Sequence, residues 1–525
     1  MPVNPTYPGV YVEEVPNGSY AITGVPTSIT AFIGRSERGF VDRAVQVNSF
    51  GEFTRLFGGL WEESFLGYNV QQYFMNGGGE AIIVRVDKEG VADRITLEDD
   101  GSTVVLELEA VSPGEWGNNL RAIVDHNTDD GAVDRFNLII QEFDPATADS
   151  TAIPPVVAKT LQEEVFHNVS IKDSDPRYIG KVLETSMLVQ LVSGPPLSRP
   201  AETGIPAEEN AKVAQGTGTN GIDITAAQIA GAGSETNRRG IYALENVDIF
   251  NMLVIPPLAR DNGDVDFTTV YIPALHYCEK RRAMLIMDPP ADWVRPDIAI
   301  AAAHSGDFPR HQNAILYWPR VRLADPLREN RIEEFTPGAM MAGVIARTDG
   351  QRGVWKAPAG PEATLTTVCE LAYRMNNAEN GQLNPLAINA LRTFQATEPV
   401  AWGARTTGGT DQLASEWKYI PVRRLALHIE ESLYRGTQWA VFEPNDAALW
   451  ARLRAVVGGF MHVLFRQGAF QGSTPKDAYF VKCDSETTTQ KDIDRGIINI
   501  LVGFAPLKPA EFVVIKIQQF ACEDV

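Results

Sequence analysis

The sequence predicts a multidomain chain of mixed α/β and α+β type, and three observations carry that expectation. Between positions 240 and 350, near-continuous apolar strands alternate with helices, the pattern of a sheet covered on both faces. Between 88 and 239 the texture changes to short alternating strands and Asp/Glu-rich turns, as expected of a mainly β, solvent-facing domain inserted into that sheet's chain. At both ends, extended β-branched segments stand with no partner strand beside them in sequence. The 525 residues are enough for about three or four domains with real cores.

Composition narrows the function classes. Apolar content of 44% and charged content of 22% are ordinary globular values. A formal net charge of −21 argues against gripping nucleic acid through its phosphates or docking on an anionic membrane. Cys278, Cys369, Cys483 and Cys522 lie far apart, with no CxxC and no clustered histidines, so neither a disulfide framework nor a zinc site is expected. The N-terminus lacks a basic-then-apolar leader pattern, and no run approaches about eighteen apolar residues. A protein folded in a reducing cytoplasm with no spanning helix is expected.

In chain order, the arm at 6–15 carries Tyr7, Val10 and Val12 and breaks at Pro16, Asn17 and Gly18. A turn-rich entry over 22–34 leads into a buried strand. Phe50, Phe53 and Phe57 at helical spacing predict a short helix over 48–57. A second helix over 68–75 closes on Asn76 and three glycines, followed by a strand over 80–86. Phosphate-cradling glycines run into a helix, whereas these follow a helix and feed a strand, so they read as a helix stop. Inside 88–239, strands are predicted over 103–109 and 136–141, and the Gly-rich stretches at 216–221 and 231–233 are joints. Strands over 249–255, 283–287 and 314–318 then alternate with helices over 271–282 and 338–347.

The last block is more regular. Over 421–435, Val422, Leu425, Ala426, Ile429 and Leu433 form the apolar stripe of an amphipathic helix. Arg423, Arg424 and Arg435 sit off that stripe, beside Glu430 and Glu431. A second helix runs from an N-cap at Asn445 or Asp446 to 465, with Leu449, Leu453, Val456, Val457, Phe460 and Leu464 facing the core. Strands follow over 478–483 and 496–505. Pro506 and Pro509 then favour an extended spacer over a tight hairpin. In the final strand, over 511–520, Val513, Ile515 and Ile517 face one side and Phe512, Val514, Lys516 and Gln518 the other. The two terminal strands either pair within their own chain or are lent to neighbouring subunits, where backbone hydrogen bonds give strength and alternate side chains give register.

No nucleophile elbow, HExxH or Walker motif occurs. Asp288, at a strand end, is the best-placed catalytic candidate, because ligands of open α/β sheets gather at strand C-termini. Followed by Pro289 and Pro290, it reads more simply as a turn. His304 and His311 have no partner at metal-ligand spacing. No catalytic, metal or cofactor-binding site is expected, and no cofactor.

Several stretches resemble the core of contractile tail sheath proteins: Ala401-Trp-Gly-Ala-Arg-Thr406, Tyr419-Ile-Pro-Val-Arg-Arg-Leu425, Ile429-Glu-Glu-Ser-Leu433, Phe442-Glu-Pro-Asn445, Gln467-Gly-Ala-Phe470, and the closing stretch over 502–512. Tyr7-Pro-Gly-Val-Tyr-Val-Glu-Glu14 and the stretch over 24–34 are similar to that family's opening. The resemblance covers residues 1–85 and roughly 345–525, and departs only in placing Ala401 where the family carries glycine. It is strongest to the single-chain sheaths of contractile-tailed phages, R-type tailocins and phage-like extracellular injection systems. Residues 88–239 match nothing, as expected of a variable outward decoration.

The resemblance implies an arm over 1–20, a middle α/β domain over 21–87 and 240–350, and the inserted surface domain over 88–239. It further implies a C-terminal sheath core over 351–505 and a second arm over 506–525. Copies stack around a rigid inner tube, and the arms, through Tyr7, Val10, Val12, Phe512, Val513, Val514, Ile515 and Ile517, complete a small sheet in each neighbour's C-terminal domain. The assembly is built extended and metastable, then shortens to drive the tube through a target envelope. Implied partners are other copies of the chain, the inner tube protein, and baseplate and tail-terminator or cap proteins. Neither nucleic acid nor membrane insertion is implied. Assembly takes place in the producing cell's cytoplasm, and the product is part of a phage tail or tail-like particle. Lys418, Arg423, Arg424 and Arg435 either face the inner tube or pair within the chain, with Glu430 and Glu431 at hand. The rival readings are an α/β enzyme using Asp288 and a passive filament or shell protein.

Overall fold

Charge-free runs such as Met284–Met287 must be covered on both faces, and here they form the middle of an eight-stranded sheet. The computed structural model describes residues 21–128, 132–148, 157–192, 194, 196, 198–261, 263–394, 398–512 and 514. The predicted arm residues Tyr7, Val10, Val12, Val513, Ile515 and Ile517 lie outside the described residues. The chain divides into two units, one of Ser28–Arg347 with Ala359–Ala414, the other of Met1–Thr27, Thr348–Pro358 and Ser415–Val525.

In the larger unit the strand order is Val400–Ala401, Asn389–Arg392, Ala314–Trp318, Met284–Met287, Met252–Val254, Thr30–Gly34, Ala81–Arg85, Ala44–Val47. The inner pairs are parallel, with Thr30 level with Met252 and with Ala81, and only the outermost pair at each edge is antiparallel. Thr30–Gly34 is buried throughout, as its sequence predicts. Residues 359–414, expected in the C-terminal core, instead extend this sheet with two short strands, Asn389–Arg392 and Val400–Ala401.

The Phe50–Phe57 helix starts where Ser49 accepts from the Glu52 amide, and Phe53 and Phe57 stack with ring centroids 5.3 Å apart. Leu66–Met75 begins two residues before its predicted start and ends on the glycine stop, where Gly77 takes φ 109°. A Cβ on Gly78 would lie 2.3 Å from the Tyr73 ring, so close packing, and not a ligand, accounts for the glycine there.

Residues 88–239 contain two antiparallel sheets. One joins Arg94–Glu98, Val104–Ala110 and Val189–Leu191; the other joins Lys212–Val213, Leu120–Asp125, Arg135–Asp144 and Lys159–Ser170. Trp116, Leu106, Leu108, Phe136, Leu138 and Ile140 belong to a core of their own.

The smaller unit is built on two helices. Ile420–Gly436 has Pro421 in its first turn, where the missing N–H costs nothing. Asp446 is the cap of Ala447–Arg466, accepting from the Leu449 amide at 2.8 Å. Leu425 and Ile429 pack with Val457, Phe460, Met461 and Leu464, as the apolar stripes predict, whereas Val456 is only half-buried. Ala447–Arg466, with mean hydropathy 1.3, is apolar and long enough to cross a bilayer, contrary to the sequence expectation. Its buried stripe forms the core of this unit, and it carries Arg452 and Arg454 in its middle turns. Beyond it, Tyr479–Lys482 pairs antiparallel with Leu501–Phe504 in a two-stranded sheet, the second strand shorter than the predicted 496–505: Gly496 turns at φ 71° and pairing begins only at Leu501.

Candidate assembly interface

Every fourth residue of a helix lies on one line along its surface. On Ile420–Gly436, that line is Arg424, His428, Ser432 and Gly436, on which the segment from Ile22 to Thr27 is seated. Arg424 donates to the Thr27 carbonyl at 2.7 Å and to both carboxylate oxygens of Asp349, at 2.7 and 2.6 Å. The Thr27 hydroxyl donates to the same carboxylate at 2.6 Å, closing a triad. The Arg424 and Asp349 side chains are 4% and 5% exposed, so the pair is a buried, charge-assisted fork.

Further along the line, a Cβ on Gly24 would meet His428 Cε1 at 3.1 Å, and the Val25 amide donates to Ser432 Oγ at 3.1 Å. Ile22 covers Gly436. Burial pushes the His428 imidazole down to about 4, with the Asp349 carboxylate opposing that fall and Arg424 adding to it, so the ring is neutral at physiological pH.

The other terminal segment meets the opposite end of the same helix. Tyr419, its N-cap residue, donates its hydroxyl to Glu511 at 3.2 Å. Immediately beyond, Phe512 and Val514 are 74% and 78% exposed, a cost in hydration for two large apolar side chains. The roots of both terminal segments are thus held by one 17-residue helix, about 25 Å long.

The small sheet is the second element of the candidate interface. Among the described residues, neither Tyr479–Lys482 nor Leu501–Phe504 pairs with a third strand. Phe480 and Leu501 on it are half exposed. An isolated two-stranded sheet is marginal in water, and an open edge is a template for another strand.

The four basic residues singled out from sequence separate by environment. Arg424 is committed to Asp349 and is not at a surface; its burial removes it from any contact with another molecule. Arg423 lies 3.2 Å from Glu430 and 5.0 Å over the Trp417 ring, and Arg435 lies 2.7 Å from Glu431. Intramolecular pairing is therefore what three of them make. Lys418 lies 5.6 Å over the ring of Tyr419. Thr27, Asp349, His428, Ser432 and Gly436 escaped the sequence reading. For His428, Ser432 and Gly436 the one legible signal was the four-residue spacing on a helix face that otherwise reads as polar; Thr27 and Asp349 carried none.

Asp288, the catalytic candidate, is 5% exposed and accepts from the Gly338 amide at 2.7 Å, at the start of the Gly338–Arg352 helix. Burial raises its carboxyl to about 6. The structure thus uses this carboxyl group to hold the start of that helix.

Residues 413–520, which hold both helices and the small sheet, match the family model of the phage tail sheath C-terminal domain. The tail sheath protein of Enterobacteria phage T4 is 27% identical over 183 residues, 34% of this chain. That match spans 26% of the relative, about a quarter of its length. Among solved structures, the PVC sheath complex of an extracellular contractile injection system, in its contracted state, is 22% identical. It covers 98% of both chains with a TM-score of 0.58. The baseplate structure of the anti-feeding prophage contains a chain 20% identical, covering 98% of this chain and 100% of that one, with a TM-score of 0.56. At these identities the structural likeness establishes the fold.

Proposed function

We propose that this chain, which carries a phage tail sheath C-terminal domain and the fold of a contractile sheath protein, is a structural subunit of a contractile sheath. Copies polymerise helically around an inner tube, seat on a baseplate and are closed by a terminator or cap protein. The polymer is assembled extended in the producing cell and contracts to drive the tube through a target envelope. No cofactor or nucleotide takes part in the stroke. Residues 88–239 face outward, and the particle is a phage tail or a tail-like relative.

The observation that carries this reading is the two-stranded sheet of the C-terminal unit, in which neither strand pairs with a third among the described residues, with Phe512 and Val514 exposed on the segment beyond it. Each subunit receives the terminal strands of its neighbours there, Tyr7, Val10 and Val12 from one end and Phe512 to Ile517 from the other. Backbone hydrogen bonds of about 1 kcal/mol each make a single link modest and a lattice of many links stubborn. Of the basic residues, Lys418 and Arg435 suit a contact with the tube, since Arg424 is buried and Arg423 nearly so.

The test is removal of residues 511–525. The truncated chain is expected to keep its far-UV circular dichroism and its thermal transition, yet to give no tubules in negative-stain microscopy, where the full chain does. Sheaths of normal length from the truncated chain would refute strand lending. Polymers of a single, unchangeable length from the full chain would favour a passive filament instead.

A further inference from the structure

Sheath assembly needs both terminal segments, but nothing in that requirement says how a pull on one reaches the other. We infer that the Ile420–Gly436 helix is a strut holding the roots of the two terminal segments at a set separation, and that the Arg424–Asp349–Thr27 triad locks the N-terminal root onto it. The inference rests on the sheath reading for its purpose, though its geometry belongs to a single unit of the chain.

Three observations carry it. The first is the seating of Ile22–Thr27 along the line of Arg424, His428, Ser432 and Gly436, which runs from the second turn of the helix to its end and brings the chain to the helix C-terminus at Ile22. The second is Glu511 on Tyr419, which brings the other segment to the helix N-terminus. The third is the chemistry of the lock. An apolar strip alone would hold the N-terminal root but let it slip along the helix. A buried ion pair adds little net stability beside an apolar pair of the same volume, and its best-attested use is to fix register. Here the fork on Asp349 and the two Thr27 hydrogen bonds can all be made in one register only. Gly24 and Gly436 admit the segment at the close approaches this register requires.

The strut makes Arg424, Asp349 and Thr27 positioning residues for the arms, without contact to any neighbouring subunit. In the polymer, tension arriving through the first twenty residues passes along the helix to the segment beyond Glu511, so neighbours on opposite sides of a subunit are mechanically coupled through about five turns of helix.

The test measures the separation directly. Spin labels are placed by Ala21→Cys and Phe512→Cys in the full chain carrying Cys369→Ser and Cys522→Ser, and the distance distribution is read by double electron–electron resonance. One narrow distribution, centred at about 25–30 Å from the helix length, is expected. Asp349→Asn is expected to broaden it at least twofold. Thr27→Val, which keeps shape and removes only the hydroxyl, is expected to broaden it less and to leave the fold intact. A merely stabilising role would lower the melting temperature without changing the width. A broad distribution in the parent chain, or an unchanged width in both variants, overturns the inference. Tubule formation by the parent chain is scored separately: its absence counts against the sheath reading, while the distance distribution still decides this one.

Discussion

No side chain fits between Gly436 and Ile22: a Cβ built on the glycine would lie 2.5 Å from Cγ1 of the isoleucine and 3.0 Å from its Cβ. Alanine is favoured over glycine within a helix by up to about 1 kcal/mol, so Gly436→Ala would ordinarily stabilise Ile420–Gly436. The steric conflict is expected to displace the N-terminal root instead. Amide exchange at 22–27 should quicken by an order of magnitude or more, with Ala447–Arg466 unaffected. Unchanged exchange at 22–27 would mean that Ile22 yields freely and that the glycine is not needed for this approach.

Arg424 and Asp349 should behave as one buried unit. Asp349→Ala leaves an uncompensated guanidinium and is expected to cost about 3–5 kcal/mol in urea unfolding followed in the C-terminal unit. The double change Arg424→Met with Asp349→Leu should recover most of that loss, because it removes both charges and keeps the volume. Simple additivity of the two single variants would contradict a direct pair.

The C-terminal unit should weaken in mild acid. His428 has its folded-state value lowered to about 4, chiefly by burial, against 6.5 when exposed. Its contribution is therefore complete above pH 6.5 and is lost progressively as pH falls toward 4, to a limit of roughly 3 kcal/mol. Urea midpoints at pH 7 and pH 5 check this, and His428→Gln is expected to flatten the difference. A parent chain equally stable at both values would rule out His428 as an acid-sensitive contact.

Asp288 should act in the opposite sense in the larger unit. Burial raises its carboxyl from 3.8 to about 6, so the folded state holds a proton that the unfolded chain has released. The stability it contributes is present below pH 3.8 and is lost as pH rises through 6, a difference of up to roughly 3 kcal/mol. Asn in its place still accepts from the Gly338 amide, so Asp288→Asn is expected to raise the thermal midpoint at pH 7 and to have little effect near pH 4. Loss of stability at both pH values would show that the charge itself is required there.

The elements set by neighbours in sequence were legible. Phe50, Phe53 and Phe57 predicted their helix, and the stripes around Leu425 and Leu453 predicted the paired helices of the C-terminal unit. The glycine stop after Met75 and the short strands after 477 were also readable, because hydrophobic period and backbone propensity act over a few residues. The resemblance to tail sheath proteins likewise lay in local motifs.

Sequence alone thus determined which of the longer segments become helices and strands, which of their faces are apolar, and which family's motifs the C-terminal end carries. Tertiary structure alone decided that Arg424 is a buried lock and not a surface charge, and that residues 359–414 join the large sheet through strands too short to announce themselves. It also decided that Asp288 holds a helix start. The physical reason is separation along the chain. Thr27 lies 397 residues from Arg424, and Asp349 lies 75 from it, so no period or spacing links them. Only the packed chain brings a threonine, an arginine and an aspartate into one dry site, where burial converts ordinary polar residues into a fixed register.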